Sequence, residues 1–192
     1  MILDGGMGHL LRRNGVDISG PIGTMERFRG VARANRDSPD IVLQSHLQFL
    51  RSGADVITTN TYACVPAALA TEGGGSPDDV VDLVQAGGAL AARARDIAVS
   101  EGLSNTRPLV AGCLPPLHES YRPDRVGDFD ELSSTYRMIV DSVAPSSDVL
   151  LCETMHSTAE ACAAAEAANA AGLPVWVSFT VSEVDVGCLR SG

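Results

Sequence analysis

Short apolar runs alternate along this chain with longer segments in which apolar residues recur every three or four positions. Five runs read as strands: Ile2 to Asp4, Asp55 to Thr59, Leu109 to Ala111 or Gly112, Val149 to Cys152, and Val175 to Thr180. Between them the spacing predicts helices. One has Ser38 as N-cap, Pro39 in its first turn, Val42, Leu43, Leu47 and Leu50 on one face, and Gly53 as its stop. Ser76-Pro77 opens a long helix carrying Val80, Leu83, Val84, Leu90, Ala94 and Ile97, which Gly102 ends. A third lies near Asp130 to Val143. Ser157-Thr158-Ala159-Glu160 reads as a capping box opening an Ala-rich helix, closed by Gly172 before Pro174. The rest reads as connection: a long one after Gly5-Gly6 with a loop near Pro21-Ile22-Gly23, a loop at Gly73-Gly74-Gly75, and an irregular stretch from Pro115-Pro116 to about Gly127.

Strands alternating with helices imply a parallel sheet with right-handed crossovers. A doubly wound open sheet concentrates its chemistry at one switch point, whereas a (β/α)8 barrel gathers it from many strand ends. Here every strand runs into polar groups: Asp4, then Thr59-Asn60-Thr61, Cys113, Glu153-Thr154, and Ser178 with Thr180. That spread favours an α/β barrel of the TIM type, truncated after about five strands, with residues 1–192 as one incomplete domain.

Composition narrows the function classes. The chain has 192 residues, 45% hydrophobic and 20% charged, enough for one packed domain. A net charge of −10 argues against nucleic acid or an anionic membrane as partner. All 14 basic residues are Arg, so chemistry that needs a Schiff-base Lys is out of reach. No apolar run is long enough for a membrane span, and the start, Met1-Ile2-Leu3-Asp4, lacks the regions of a signal peptide. Five dispersed cysteines without Cys-x-x-Cys spacing fit a reduced cytoplasmic protein, and neither they nor the four histidines show metal-ligand spacing. Cys64 and Cys162 read as small packed residues.

Each candidate site carries two readings. Asp4-Gly5-Gly6-Met7-Gly8 places a carboxylate at a strand end beside glycines: a binding site for an ammonium group, or a capped tight turn. Glu153 follows an apolar run, so it is desolvated and needs a partner: a substrate ammonium, or a structural arginine. Asn60, Thr61 and Tyr62 either bind a substrate or cap the next turn. The proline-rich loop Leu114 to Asp124, with Tyr121 and Arg122, is either a lid or a rigid connector.

Taken in order, Asp4 to Gly8, Gly53 to Tyr62 (G-A-D-V-I-T-T-N-T-Y), Gly112 to Asp124 (G-C-L-P-P with E-S-Y-R-P-D) and Glu153 to Ala161 (E-T-M-x-S-x-x-E-A) resemble the homocysteine S-methyltransferase family. The resemblance implies a (β/α)8 barrel with zinc at its C-terminal face, holding homocysteine as thiolate for methylation by an onium-type donor such as S-methylmethionine or S-adenosylmethionine. It places Asp4 and Glu153 at the substrate ammonium, Gly5 and Gly6 around the same pocket, and Thr59, Asn60, Thr61 and Tyr62 beside donor and acceptor. Tyr62 and Tyr121 are candidates for aromatic contact with a cationic donor. The family's zinc ligands are three cysteines in segments beyond the fifth strand. None of the five cysteines here matches them, so the resemblance implies no zinc ligand and no methyl transfer by this chain alone. The rival reading is a non-catalytic half-barrel that binds an amino acid or completes itself by assembly.

Overall fold

Gly53 takes a left-handed backbone (φ +94) that ends one helix and turns the chain into the sheet, as its position after a helical pattern predicts. The computed structural model describes residues 1–21, 24–70, 76–104, 106–185 and 187–191. The predicted loops at Pro21-Ile22-Gly23 and Gly73-Gly74-Gly75 lie wholly or mostly outside them. The elements run α1 (Met7–Arg13), α2 (Met25–Asp37), α3 (Pro39–Arg51), β1 (Val56–Thr58), α4 (Pro66–Leu69), α5 (Pro77–Ser100), β2 (Leu109–Leu114), α6 (Phe129–Val143), β3 (Val149–Met155), α7 (Thr158–Ala170) and β4 (Val175–Phe179). The four strands form one parallel sheet in sequential order. Among the described residues no helix is long and apolar enough to cross a membrane.

Strand alternation divides the packing. On the helix side, Ile57 and Val110 pack with Leu43, Leu47 and Leu50 of α3 and Ala91 and Ala94 of α5. Leu150 and Cys152 join the larger cluster under α6 and α7, with Tyr136 and Ala164. On the opposite face Val56, Ala111, Val149 and Leu151 form a separate cluster, extended by Trp176. The same alternation carries Thr58, Cys113 and Glu153 onto this inner face, at the C-terminal strand ends.

The N-terminal strand ends are tied differently. Asp148, just before β3, accepts from the Val110 backbone N–H at 2.9 Å, from Arg95 at 3.2 Å and from Arg107 at 2.9 Å. One carboxylate thereby joins the starts of β2 and β3 to α5.

Several elements differ from the sequence expectation. The strand over Ile2 to Asp4 shrinks to one parallel bridge, Leu3 to Val56; Asp55 lies outside β1, and its carboxylate accepts from the Ile2 N–H at 2.8 Å. The long connection holds two helices, α1 and α2; their apolar residues are interrupted by arginines that obscure the period. The strand at Leu109 runs to Leu114, which puts Cys113 inside it, and the strand at Val149 runs to Met155 through Thr154, whose φ is +62. β4 stops at Phe179, one residue short. Ser38 precedes α3 but makes no side-chain cap bond. Ser157 likewise makes none, and the Glu160 side chain turns inward to the Leu117 N–H instead of back to Ser157, so that capping box does not form. Ser76 instead forms a capping box with Asp79. Cys162 is exposed rather than packed, whereas Cys64 is buried.

Candidate amino-acid site at the strand ends

A cavity of about 500 Å³ opens at the C-terminal ends of the strands, lined by Asp4, Gly5, Gly6, Thr59, Tyr62 and Glu153 among others. Asp4 sits where the bridge at Leu3 ends. Its carboxylate accepts from the Thr58 backbone N–H at 2.9 Å and from the Thr58 hydroxyl at 3.0 Å. Burial pushes its carboxyl up to about 6, against the opposing Thr58 bonds and with a further push from the charge of Glu153. Glu153 accepts a hydrogen bond from the Cys113 thiol at 2.9 Å. Burial raises the Glu153 carboxyl, and burial with the adjacent Glu153 charge holds the Cys113 thiol well above its ordinary range. Among the described residues neither Asp4 nor Glu153 is in an ion pair, so the structural-arginine reading of Glu153 is not what is found. Two partly buried carboxylates face one cavity and neither is paired with a cation, which leaves their wall of the cavity suited to a cationic group.

The polar run after β1 does two different jobs. Where the ladder with β2 stops, the Thr59 hydroxyl accepts from the Cys113 N–H at 3.0 Å, and Thr61 donates to the Cys113 carbonyl at 3.2 Å. The two hydroxyls are 2.7 Å apart. They continue the ladder with side chains and satisfy a buried backbone. Asn60 is held by α2: its amide donates to Asn35 Oδ1 at 2.8 Å and to the Val31 carbonyl at 3.1 Å. Tyr62 turns into the cavity. Its ring meets Phe28 edge-on at 6.0 Å between centroids, and its hydroxyl shares a 2.6 Å hydrogen bond with Ser120. Burial pushes that phenol up to about 12.

Glycines make room on two sides. A Cβ on Gly5 would stand 3.2 Å from the Phe49 ring, and one on Gly87 would stand 2.7 Å from Asn35 Nδ2. Helix α5 therefore approaches the strand end at a distance only glycine permits.

Comparison with known proteins is consistent along the whole chain. The family model described as homocysteine S-methyltransferase matches residues 1–192. The chain belongs to this family. The homocysteine S-methyltransferase of Escherichia coli is 26% identical over 191 residues, covering 95% of this chain and 59% of that protein. The betaine-homocysteine S-methyltransferase of Drosophila melanogaster is 30% identical over 164 residues, covering 77% of this chain and 49% of that one. The metallated form of the Escherichia coli homocysteine methyltransferase MmuM superposes with a TM-score of 0.86 at 26% identity, over 100% of this chain and 66% of that chain. This chain thus spans roughly half to two thirds of these relatives, and its sheet is the partial barrel expected from the sequence.

Within this homocysteine S-methyltransferase frame, seven of the eight residues singled out in the sequence line one cavity: Asp4, Gly5, Gly6, Thr59, Asn60, Tyr62 and Glu153. Thr61 does not; it is fully buried in the ladder closure. Tyr121 also lies away from the cavity, 52% exposed, beneath Arg190 at 5.0 Å. The loop behind it is pinned at its base, where Glu160 accepts from the Leu117 N–H and Tyr136 donates to the Pro115 carbonyl, each at 2.9 Å. The residues present do not fit a zinc site. Among the described residues no three His, Cys, Asp or Glu side chains converge, and the Cys113 thiol is already committed to Glu153. Sequence reasoning missed Arg27, Asn35 and Ser120. The first two lie on α2, which the pattern did not reveal, and Ser120 is identified only by its partner Tyr62.

Proposed function

We propose that residues 1–192 form the homocysteine-binding wall of a homocysteine S-methyltransferase acting in the reducing cytoplasm. Asp4 and Glu153 would hold the substrate ammonium, with Gly5 and Gly6 shaping the space beside them. Thr59, Asn60, Thr61 and Tyr62 would form or brace the wall beside donor and acceptor. The observation that supports this most is the pair of partly buried carboxylates on one cavity, neither of them ion-paired. An ammonium ion there exchanges solvation by water for two charge-assisted hydrogen bonds.

The reaction assigned to the site is displacement at carbon. The homocysteine sulfur gives up its proton and bonds to the methyl carbon of an onium donor, S-methylmethionine or S-adenosylmethionine. The bond from that carbon to the donor heteroatom breaks, and its electron pair stays on the departing thioether. In the family zinc supplies the thiolate. Among the described residues no side chains converge to hold it, and an unassisted thiol is mostly protonated at neutral pH. These residues alone are therefore expected to bind homocysteine without turning it over.

Titration calorimetry of residues 1–192 with homocysteine tests the binding. Methionine formation from homocysteine and S-methylmethionine, measured with and without added zinc, tests the rest. No detectable affinity for homocysteine would sink the reading, and zinc-dependent turnover would refute the stated inactivity. A non-catalytic amino-acid-binding or assembly module is the second reading; it uses the same cavity and its two carboxylates and requires no metal.

A further inference from the structure

We propose that Arg27 is the carboxylate-binding residue of this cavity and fixes the orientation of a zwitterionic amino-acid ligand within it. The inference deepens the proposed function and rests on it for the identity of the amino acid. Arg27 is the third residue of α2. Its backbone N–H donates to the Thr24 hydroxyl at 3.4 Å, so its place in the first helical turn is set. The residue is only 6% exposed and lines the same cavity as Asp4 and Glu153. Yet among the described residues its guanidinium makes no hydrogen bond and no ion pair. None of its nitrogens is among the sealed, partnerless side-chain atoms, so its five N–H donors are open to the cavity and free to take an acceptor there. The other arginines of α2 are spent otherwise: Arg36 pairs with Asp37 and Arg29 donates to the Ala68 carbonyl, while Arg33 does not line the cavity.

The cavity is thus polarised. Its strand-end wall carries two carboxylates, and its helical wall carries one guanidinium. Neither Asp4 nor Glu153 comes within ion-pair distance of Arg27, so the charges are held apart rather than cancelling. An anion alone would meet the carboxylates, and a cation alone would leave Arg27 unpaired. A molecule bearing both an ammonium and a carboxylate satisfies the two walls together. The planar guanidinium fork matches a carboxylate with two parallel hydrogen bonds. That carboxylate comes either from homocysteine or from an amino-acid donor such as S-methylmethionine.

Calorimetry on residues 1–192 with matched ligands decides it. Homocysteine is compared with 3-aminopropane-1-thiol, which lacks only the carboxylate, and S-methylmethionine with (3-aminopropyl)dimethylsulfonium. Removing the carboxylate is expected to weaken binding by about ten- to a hundredfold for the ligand that Arg27 holds. Whichever pair shows that gap identifies the source. Arg27→Gln is expected to erase the gap, and Arg27→Lys to restore part of it. Equal binding of acid and decarboxylated analogue in both pairs overturns the proposal, as does a gap left intact in Arg27→Gln. Should Arg27→Gln fail to fold, the two ligand pairs measured on the unmutated chain still decide between these outcomes. If homocysteine does not bind but S-methylmethionine binds with an Arg27-dependent gap, the proposed function fails and the role of Arg27 stands. If homocysteine binds wild type and Arg27→Gln alike and neither ligand pair shows a gap, the reverse holds.

Discussion

Asn35 and Asn60 hold each other in both directions: Asn60 Nδ2 donates to Asn35 Oδ1 at 2.8 Å, and Asn35 Nδ2 donates to the Asn60 carbonyl at 2.8 Å. Asn35 also donates to the Leu83 carbonyl at 3.0 Å, so one buried amide joins α2, α5 and the end of β1. Replacing it with Ala leaves buried carbonyls and an amide short of partners, at about 1–3 kcal/mol for each group left unsatisfied. Asn35→Ala is expected to lower unfolding free energy by about 2–4 kcal/mol in urea titrations. Gly87→Ala should move the same way, since its Cβ would stand 2.7 Å from Asn35 Nδ2. A loss below about 0.5 kcal/mol, the range of ordinary surface changes, would show that the network is not structural.

Asp4 makes binding depend on pH. Its carboxyl lies at about 6 in the folded chain against 3.8 for an ordinary Asp. It therefore favours the folded state below 3.8, and that contribution is lost as pH rises through about 6. A bound ammonium reverses the balance by favouring the ionised form. Homocysteine affinity, measured by calorimetry from about pH 5 to 7.5, is expected to rise through about 6 and then level off. Asp4→Asn should weaken binding at least about tenfold at neutral pH and flatten the profile. A profile still rising through 6 in Asp4→Asn would assign the titration elsewhere.

Glu153 offers a check that separates charge from packing. Glu153→Gln keeps the shape and removes the charge that helps hold the Cys113 thiol so high. Homocysteine affinity is expected to fall about ten- to a hundredfold, with little change in melting temperature. The Cys113 thiol should then titrate lower, read as thiolate absorbance. Unchanged affinity would remove Glu153 from the ammonium site.

The strands, α3, α5, α6 and α7 were legible because their apolar residues keep a period and their ends carry Gly, Pro or Ser. The two carboxylates were legible because each directly follows an apolar run. Helices α1 and α2 were not, since Arg12, Arg13, Arg27, Arg29, Arg33 and Arg36 interrupt their apolar faces. That one omission hid Arg27 and Asn35 together. Thr61 misled for another reason. A hydroxyl that closes a ladder and a hydroxyl that touches a ligand look alike in sequence, and only the 3.2 Å bond to the Cys113 carbonyl separates them. Bulge positions such as Thr154 depend on pairing between β3 and β4, which no local pattern encodes.

His46 gives a test of stability independent of the cavity. It is fully buried on α3 with both ring nitrogens unpartnered, and burial lowers its pKa from 6.5 to about 3. The unfolded chain takes up a proton below 6.5 that the folded chain refuses until about 3. Stability is therefore expected to fall as pH drops below 6.5, by about 1.4 kcal/mol per pH unit from this group. Thermal melts between about pH 7 and 5 should show this slope, and His46→Leu should reduce it. An identical slope in His46→Leu would mean that other groups drive acid unfolding.

Asp148 gathers Val110, Arg95 and Arg107 at the end of the sheet opposite the cavity. The chain's cohesion and its chemistry are thereby anchored about a strand's length apart. A designer could rework ligand preference at one rim while hardening the other, and faults introduced at either rim would leave separate experimental signatures.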